Sequence, residues 1–326
     1  MSMKTYKSAS NMAPGTYRGP SDPIWFDCPI GEFQEDQGYG RFFHEDFDMI
    51  GNATMSSAVA GSIGKWSTYA YAGGFLNDQQ LDGGVIGIGA DGDNEGVMMQ
   101  SSAGSFRLMK SVSGTLFPTK KTWFEASVGT STVVATKRDD FVGLAIPALS
   151  SNLPRAAYPI TTTDDTLDAT NGTFIGFHRK GTAAPTDWQF CFNLAGGTVN
   201  YVQNLTTLLA SAQLMQASPV ISPLVANQMV KLGFVLDPGL PMQRVTSYPT
   251  ARQTAGQLAN PLIRVFVNGI EIVRTFLSNA DVLNAAAGQA FPTGFMCPTI
   301  ATLNQTGTTP GFMLIDFIRV AQYADS

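Results

Sequence analysis

At 326 residues the chain has room for one large β domain or two ordinary ones. Charged residues make up 14% and apolar residues 44%, against a usual charged share of ~25%, so a sizeable core lies under a surface of Ser, Thr, Asn, Gln and Gly. The net charge of -5 comes with no basic tract, which argues against a sequence-independent grip on phosphate backbones and so against a nucleic-acid partner. The first twenty residues lack the apolar stretch of a secretion signal. No run approaches the ~18 apolar residues of a membrane span, so no membrane partner is expected. Cys28, Cys191 and Cys297 are odd in number and far apart; they predict buried thiols rather than a disulfide framework.

In chain order, residues 1–35 carry Pro14, Pro20, Pro23 and Pro29 with glycines between them, which predicts an extended N-terminal arm. Free tails are poor in aromatics, whereas this one holds Tyr6, Tyr17, Trp25 and Phe26. These four are the candidate partner-binding anchors. Residues 36–326 then read as one β-sandwich domain. Strands are predicted at 42–48, 83–91, 104–111, 122–131, 139–147, 172–180, 187–195, 229–237, 262–276 and 312–323. Each is a period-2 or short continuous apolar run bounded by Gly, Asp, Asn or Pro. The stretch 122–131 alternates Trp123, Glu125 and Ser127 against Phe124, Ala126 and Val128. Asn268-Gly269 tolerates positive φ at both turn positions and predicts a two-residue hairpin. Leu205, Leu208, Leu209, Leu214 and Met215 share a helical face, so one short helix is expected over 204–218. Residues 237–261 read as a long Pro-punctuated loop, of the kind that is usually functional.

The order of these strands resembles the concanavalin A-like lectin/glucanase sandwiches, in the laminin-G-like jelly-roll branch found in bacteriophage virion structural proteins. The pieces that carry the resemblance are FFHEDFD, GGVIGIGADGDNEGVMMQ, KKTWFEASV, DDFVGLA, GTFIGFHRK, MVKLGFVLD, LIRVFVNGIEIV and LIDFIRVAQY. The most specific combination is the Asn-Gly hairpin followed by the closing strand. The resemblance implies an all-β antiparallel jelly roll and a virion setting; it implies no chemistry, because fold does not determine function.

Several constellations bear on chemistry. Asp91, Asp93 and Glu95, followed by Gly96, match the opening of a calcium loop. Such a loop ends in a bidentate Glu at its twelfth position, where this chain has Ser102, with Met99 at the ninth. The two readings are a calcium site on those three acids and an acidic turn between strands. Glu32, Glu35 and Asp36, and Glu45, Asp46 and Asp48, lack the E-x-D-x-x-E spacing of the resembling glucanases, so no acid pair for glycoside hydrolysis is expected. His44 and His178 are the only histidines, and both read as strand-surface or interface residues rather than as bases of a nucleophile. The glycines at 83, 84, 87 and 89 precede an acidic turn instead of a helix N-terminus and do not suit a phosphate. Trp25, Tyr69, Tyr71, Tyr201 and Tyr248 could stack on sugars or fill partner pockets.

The expectation is a non-enzymatic virion protein with no cofactor, assembled in the host cytoplasm. It would be a capsid decoration, cement or head-associated subunit, homo-oligomeric and bound through its arm to the major capsid protein or to other virion subunits. The alternative is a carbohydrate-binding or host-attachment module that recognises a surface glycan.

Overall fold

The computed structural model of the chain describes residues 21–36, 38–47, 53–56, 60–78, 84–101, 106–112, 115–118, 120–131, 138–147, 159–161, 166–181, 188–204, 229–237, 262–276, 291–292, 294–305 and 311–324. Two short helices open it, α1 (Asp22–Trp25) and α2 (Ile30–Glu35). The strands that follow are β1 (Gly40–Glu45), β2 (Ala53–Ser56), β3 (Ala60–Ile63), β4 (Trp66–Tyr71), β5 (Gly73–Asp78), β6 (Ile86–Ala90), β7 (Gly96–Ser101), β8 (Phe106–Arg107), β9 (Met109–Val112) and β10 (Thr115–Pro118). After these come β11 (Thr122–Thr130), β12 (Arg138–Ala145), β13 (Phe174–Arg179), β14 (Trp188–Asn193), β15 (Asn200–Asn204), β16 (Val230–Asp237), β17 (Leu262–Val267), β18 (Ile270–Phe276), β19 (Phe295–Asn304) and β20 (Gly311–Tyr323).

The pairing is antiparallel throughout and builds two sheets. Sheet I runs β18-β17-β16-β11-β20. Beyond β20 it divides, because Gly311–Ile315 pair with β6 while Ile318–Tyr323 pair with β1. From β6 the sheet continues to β5 and β2. Sheet II runs β3-β4-β7-β19-β12-β13-β14-β15, with β8 beside the start of β19. The sheets meet at a corner where β4 runs into β5: Tyr71 pairs with Gly73, and Ala72 between them takes a φ of 61°. β9 and β10 form a separate hairpin. The all-β, antiparallel jelly-roll expectation is met.

Alternation decides what lies between the sheets. Phe124, Ala126 and Val128 of β11 meet Leu232 and Phe234 of β16, Val142 and Leu144 of β12, and Ile175 and Phe177 of β13 in one buried core. The Phe124 and Phe234 rings stack with centroids 4.9 Å apart, and Phe177 and Phe190 close in on Phe234. The opposite positions of β11 are also buried, although sheet faces turned away from a core are commonly wet. Trp123, Val235, Phe266 and Ala321 form an outer cluster with Ile24, Trp25 and Phe33 of the two helices. On sheet II, Phe141, Phe174, Met98 and Tyr69 form another, with Ile160 and Leu167 packed among them.

Residues 21–35 therefore differ from the extended arm that their prolines predict. Pro23 falls in the first turn of α1 and Pro29 at the N-cap of α2, positions where a missing N–H costs no helix hydrogen bond. Residues 1–20 lie outside the described residues. So do 205–228 and 238–261, and with them most of the expected helix over 204–218 and of the long loop. Asn204 itself ends a strand, and the helices among the described residues are the two at the N-terminus.

The hairpin at Asn268-Gly269 is observed with φ of 51° and 78°, the paired positive values of a type I′ turn. Lys231 N–H also donates to Asn268 Oδ1 at 2.9 Å, tying the turn to β16. The predicted strand 104–111 divides instead: β8 joins sheet II and β9 joins the separate hairpin. β19 carries no apolar alternation in sequence and was not anticipated; its Pro298 falls between the stretches that pair with β8 and with β7. Among the described residues no helix is long and apolar enough to cross a membrane.

Candidate functional site

The outer face of sheet I carries side chains that a core has no use for. The pairing sets them in rows. Phe42, Ala321, Trp123, Val235 and Arg264 form the first, and His44, Arg319, Glu125, Gly233 and Phe266 the second. Phe317, Ser127 and Lys231 follow in the third. Glu125 is fully buried. Its Oε2 accepts the Trp25 indole N–H at 2.8 Å and the Ser21 backbone N–H at 3.2 Å, with Arg319 Nη1 at 3.9 Å. The Arg319 guanidinium lies 4.0 Å above the Phe317 ring, a cation–π contact. Burial lowers the Lys231 ammonium below its ordinary value, with Glu125 pulling the other way. Among the described residues, Glu125 Oε1, Ser127 Oγ and His44 Nε2 have no hydrogen-bond partner.

Residues 21–36 lie over the first two rows as a strap. Ile24 enters the notch at Gly233, where an added Cβ would stand 2.4 Å from Ile24 Cδ1. Trp25 covers Glu125. Asp27 accepts the Trp123 indole N–H at 3.0 Å and pairs with Lys121, which also reaches Asp237 at 3.4 Å. Phe33 seats beside Gly40 and meets Trp123 and Tyr323 ring to ring.

A second polar cluster closes one end of sheet II. Asp140 Oδ1 accepts from Arg138 Nε at 2.9 Å and from the Thr302 hydroxyl at 2.8 Å. Its Oδ2 accepts from Arg138 Nη2 at 3.1 Å and from Arg179 Nε at 2.7 Å. Burial raises the Asp140 carboxyl, but the two guanidiniums and their hydrogen bonds outweigh it and hold the group below the ordinary value of 3.8. On the other face of β12, Asp139 Oδ1 lies 3.2 Å from His178 Nε2 and accepts the Gly181 N–H at 3.1 Å, while Oδ2 accepts from Gln305 Nε2 at 2.8 Å. His178 is thus buried within the fold, a correction to its reading as a strand-surface residue. The strand places its ring beside Phe141 rather than towards water.

The remaining sequence candidates fall as follows. Asp91 and Asp93 are exposed, whereas Glu95 turns back to accept the Gly92 N–H at 2.9 Å. With Glu95 engaged in its own turn the three do not converge, and among the described residues no group of His, Cys, Asp and Glu is placed to hold a metal. Asp91, Asp93 and Glu95 stand in an acidic turn with Asn94 at a φ of 57°. Of the four partner-binding anchors, Tyr6 and Tyr17 lie outside the described residues. Trp25 is buried against its own domain, and Phe26 is 71% exposed. His44 is lowered to about 4, by burial first and then by Arg319, so it is neutral at pH 7. The three cysteines are free thiols, and burial raises each of them, Cys297 to about 12. Neither Glu125 nor Arg138-Asp139-Asp140 is among the sequence candidates. The available signal was an acid at an alternating position of an otherwise apolar strand.

No protein-family model matches the chain, and no curated protein matches it by sequence. Solved structures of concanavalin-like lectin/glucanase jelly-roll domains do resemble it. The Emp47p carbohydrate recognition domain is 11% identical over 89% of this chain and 99% of its own, with a TM-score of 0.44. Peanut lectin is 11% identical over 88% of this chain and 99% of its own, also at 0.44. The endo-β-1,3-glucanase from Pyrococcus furiosus is 11% identical over 88% and 96%, at 0.46. Binding proteins and enzymes stand side by side among these likenesses, and no residue role passes from them to this chain.

Proposed function

We propose that this protein is a non-enzymatic structural subunit of a bacteriophage virion, a capsid decoration or cement-type component that joins its neighbours through its N-terminal segment. One observation carries the reading. The outer clusters on both sheets are sealed by the chain's own segments, while two of the three exposed large hydrophobic side chains among the described residues, Phe26 and Tyr39, belong to the N-terminal strap and its link to β1. The low charged fraction suits a surface covered by other subunits, and the virion setting follows the strand-order resemblance. Mass spectrometry of particles purified from cells that express the chain tests it. A fixed copy number on the particle surface is expected; recovery only in the particle-free fraction would sink the reading.

A second reading, a glycan-binding module, is favoured by Glu125 Oε1, Ser127 Oγ and His44 Nε2, which have no hydrogen-bond partner among the described residues and lie buried on the outer face of sheet I, so that a ligand would reach them only with the strap displaced. Polar atoms in search of partners next to an aromatic face suit a polyhydroxylated ligand. Retention on a polysaccharide panel, abolished by Ser127→Val, is the result that would favour it.

A further inference from the structure

We propose that Asn268 is a site of spontaneous chemical modification, at which the side-chain amide is lost through a succinimide and the hairpin between β17 and β18 acquires an aspartate or isoaspartate. The chain holds two Asn-Gly pairs, Asn171-Gly172 and Asn268-Gly269. Glycine is the follower that least hinders ring closure, because it carries no side chain. Hydroxide takes the Gly269 amide proton, and the bared nitrogen attacks Asn268 Cγ. The side-chain nitrogen leaves as ammonia and a succinimide ring closes. Water then opens the ring at either carbonyl. One opening gives aspartate; the other reroutes the backbone through the side chain and gives isoaspartate. The sum is a water taken up and an ammonia released, with no oxidant or reductant.

The fold arms one pair and guards the other. Asn268 Oδ1 accepts the Lys231 backbone N–H at 2.9 Å. That donor draws electrons from Cγ and stands where the oxygen gathers charge as the nitrogen adds, the role of an oxyanion donor. The Asn268 N–H is itself anchored to Lys231 O at 2.8 Å, so the side chain is held in place. Among the described residues nothing accepts the Gly269 N–H, and both residues are half-buried, within reach of water. Attack needs only a flip of the peptide between them. The flip turns a type I′ turn into a type II′ turn, which keeps the positive φ of its first central residue. Asn268 already stands at 51°, and glycine accepts either sign. Asn171 is the more exposed of the two, yet its pair is locked. Gly172 N–H donates to Asp168 O at 2.9 Å, and Asn171 donates to the Asp168 carboxylate from its backbone N–H at 2.9 Å and from Nδ2 at 3.1 Å. A flip there breaks the Gly172 bond. At the reactive pair, an isoaspartate lengthens a two-residue loop. Loop length sets hairpin register, so the change falls on the pairing of β17 with β18.

The unmodified full chain supplies the test. It is aged in heavy-oxygen water at mildly alkaline pH, once folded and once in denaturant, then digested with pepsin in acid, where the reaction stops. Mass spectrometry of the peptides reads the heavy oxygen that ring opening leaves at each asparagine. In the folded protein, label is expected at Asn268 ahead of Asn171, as a mixture of aspartate and isoaspartate that forms faster as pH rises. In denaturant the two sites are expected to keep pace, because there both are bare Asn-Gly pairs. Label at Asn171 level with or ahead of Asn268 in the folded protein overturns the proposal. So does a folded protein that leaves Asn268 unlabelled over a period in which the denatured chain reacts. A lead of Asn268 that persists unchanged in denaturant overturns it as well, since the fold would then have no part in the choice.

Discussion

Asp140 and Glu125 are both fully buried carboxylates on sandwich strands, yet they are satisfied in opposite ways. Asp140 has both oxygens occupied by Arg138, Arg179 and Thr302, which come from three adjacent strands of one sheet. Glu125 has one oxygen occupied, by groups of a segment outside the sheet, and one without a partner. A carboxylate closed by its own sheet is part of the fold's permanent frame. One closed by a strap depends on a segment that lies outside the sheet. The comparison teaches that the carboxylate closed within its own sheet and the one closed by the N-terminal segment lie on different sheets.

The largest expected effect breaks the first half of that contrast. Asp140→Ala leaves two buried guanidiniums without their anion and is expected to cost ~3–5 kcal/mol, read as a lower midpoint in denaturant. The same group gives a pH signature. Its folded value lies below 3.8, so its contribution is complete above the unfolded value and is lost as pH falls through the folded one. The wild type is expected to lose stability below pH 3.8, with this acid loss reduced in Asp140→Ala. If Asp140→Ala unfolds like the wild type, the frame lies elsewhere.

The second half is probed by Trp25→Phe, which keeps the ring over the sheet and removes only the indole N–H. Leaving Glu125 short of a donor is expected to cost ~1–3 kcal/mol. A Glu125→Leu, Trp25→Phe pair that restores stability would show that the cost is the unsatisfied carboxylate. No gain on pairing them would assign it to packing.

How legible these sites were in advance differs between them. The Asn268-Gly269 hairpin is a local matter: two residues that accept positive φ, between two apolar runs, leave few alternatives. Gly269→Val is expected to destabilise by at least ~1 kcal/mol, since a β-branched side chain resists that backbone; a neutral result would move the turn. By contrast, nothing local to His178 shows that Asp139 and Gln305 will converge on one another beside it, from strands far apart in sequence.

His44 sharpens the comparison at mild pH. It is held neutral beside the strapped face with its value at about 4 against an ordinary 6.5. The unfolded chain therefore binds the extra proton first, and stability is expected to be complete above pH 6.5 and to decline as pH falls towards 4. His44→Gln should flatten the profile in that window; an unchanged slope would remove His44 from it. The smallest effect belongs to the acidic turn. Asp93 is exposed in high dielectric, where repulsion is weak, so Asp93→Asn should be neutral or slightly stabilising and a chelator should leave the melting temperature unchanged. A drop restored by calcium would reinstate Asp91, Asp93 and Glu95 as ligands.

The sequence by itself determined the all-β class, the position of most strands, and the one tight turn whose residues demand a special backbone. These follow from period-2 alternation and from φ preferences, which act between neighbours in the chain. Only the tertiary structure decided that residues 21–36 close over sheet I. The prolines there are compatible with an extended chain and with the first turn of a helix. What selects the helix is the apolar face of Trp123, Val235 and Phe266, in which β11 meets two strands that follow it by more than a hundred residues. Only the tertiary structure, likewise, decided which acids are buried. Alternation assigns Glu125 and Ser127 to the outer face, as it does for any strand that is wet on one side. Whether that face meets water depends on a segment whose arrival no local pattern records.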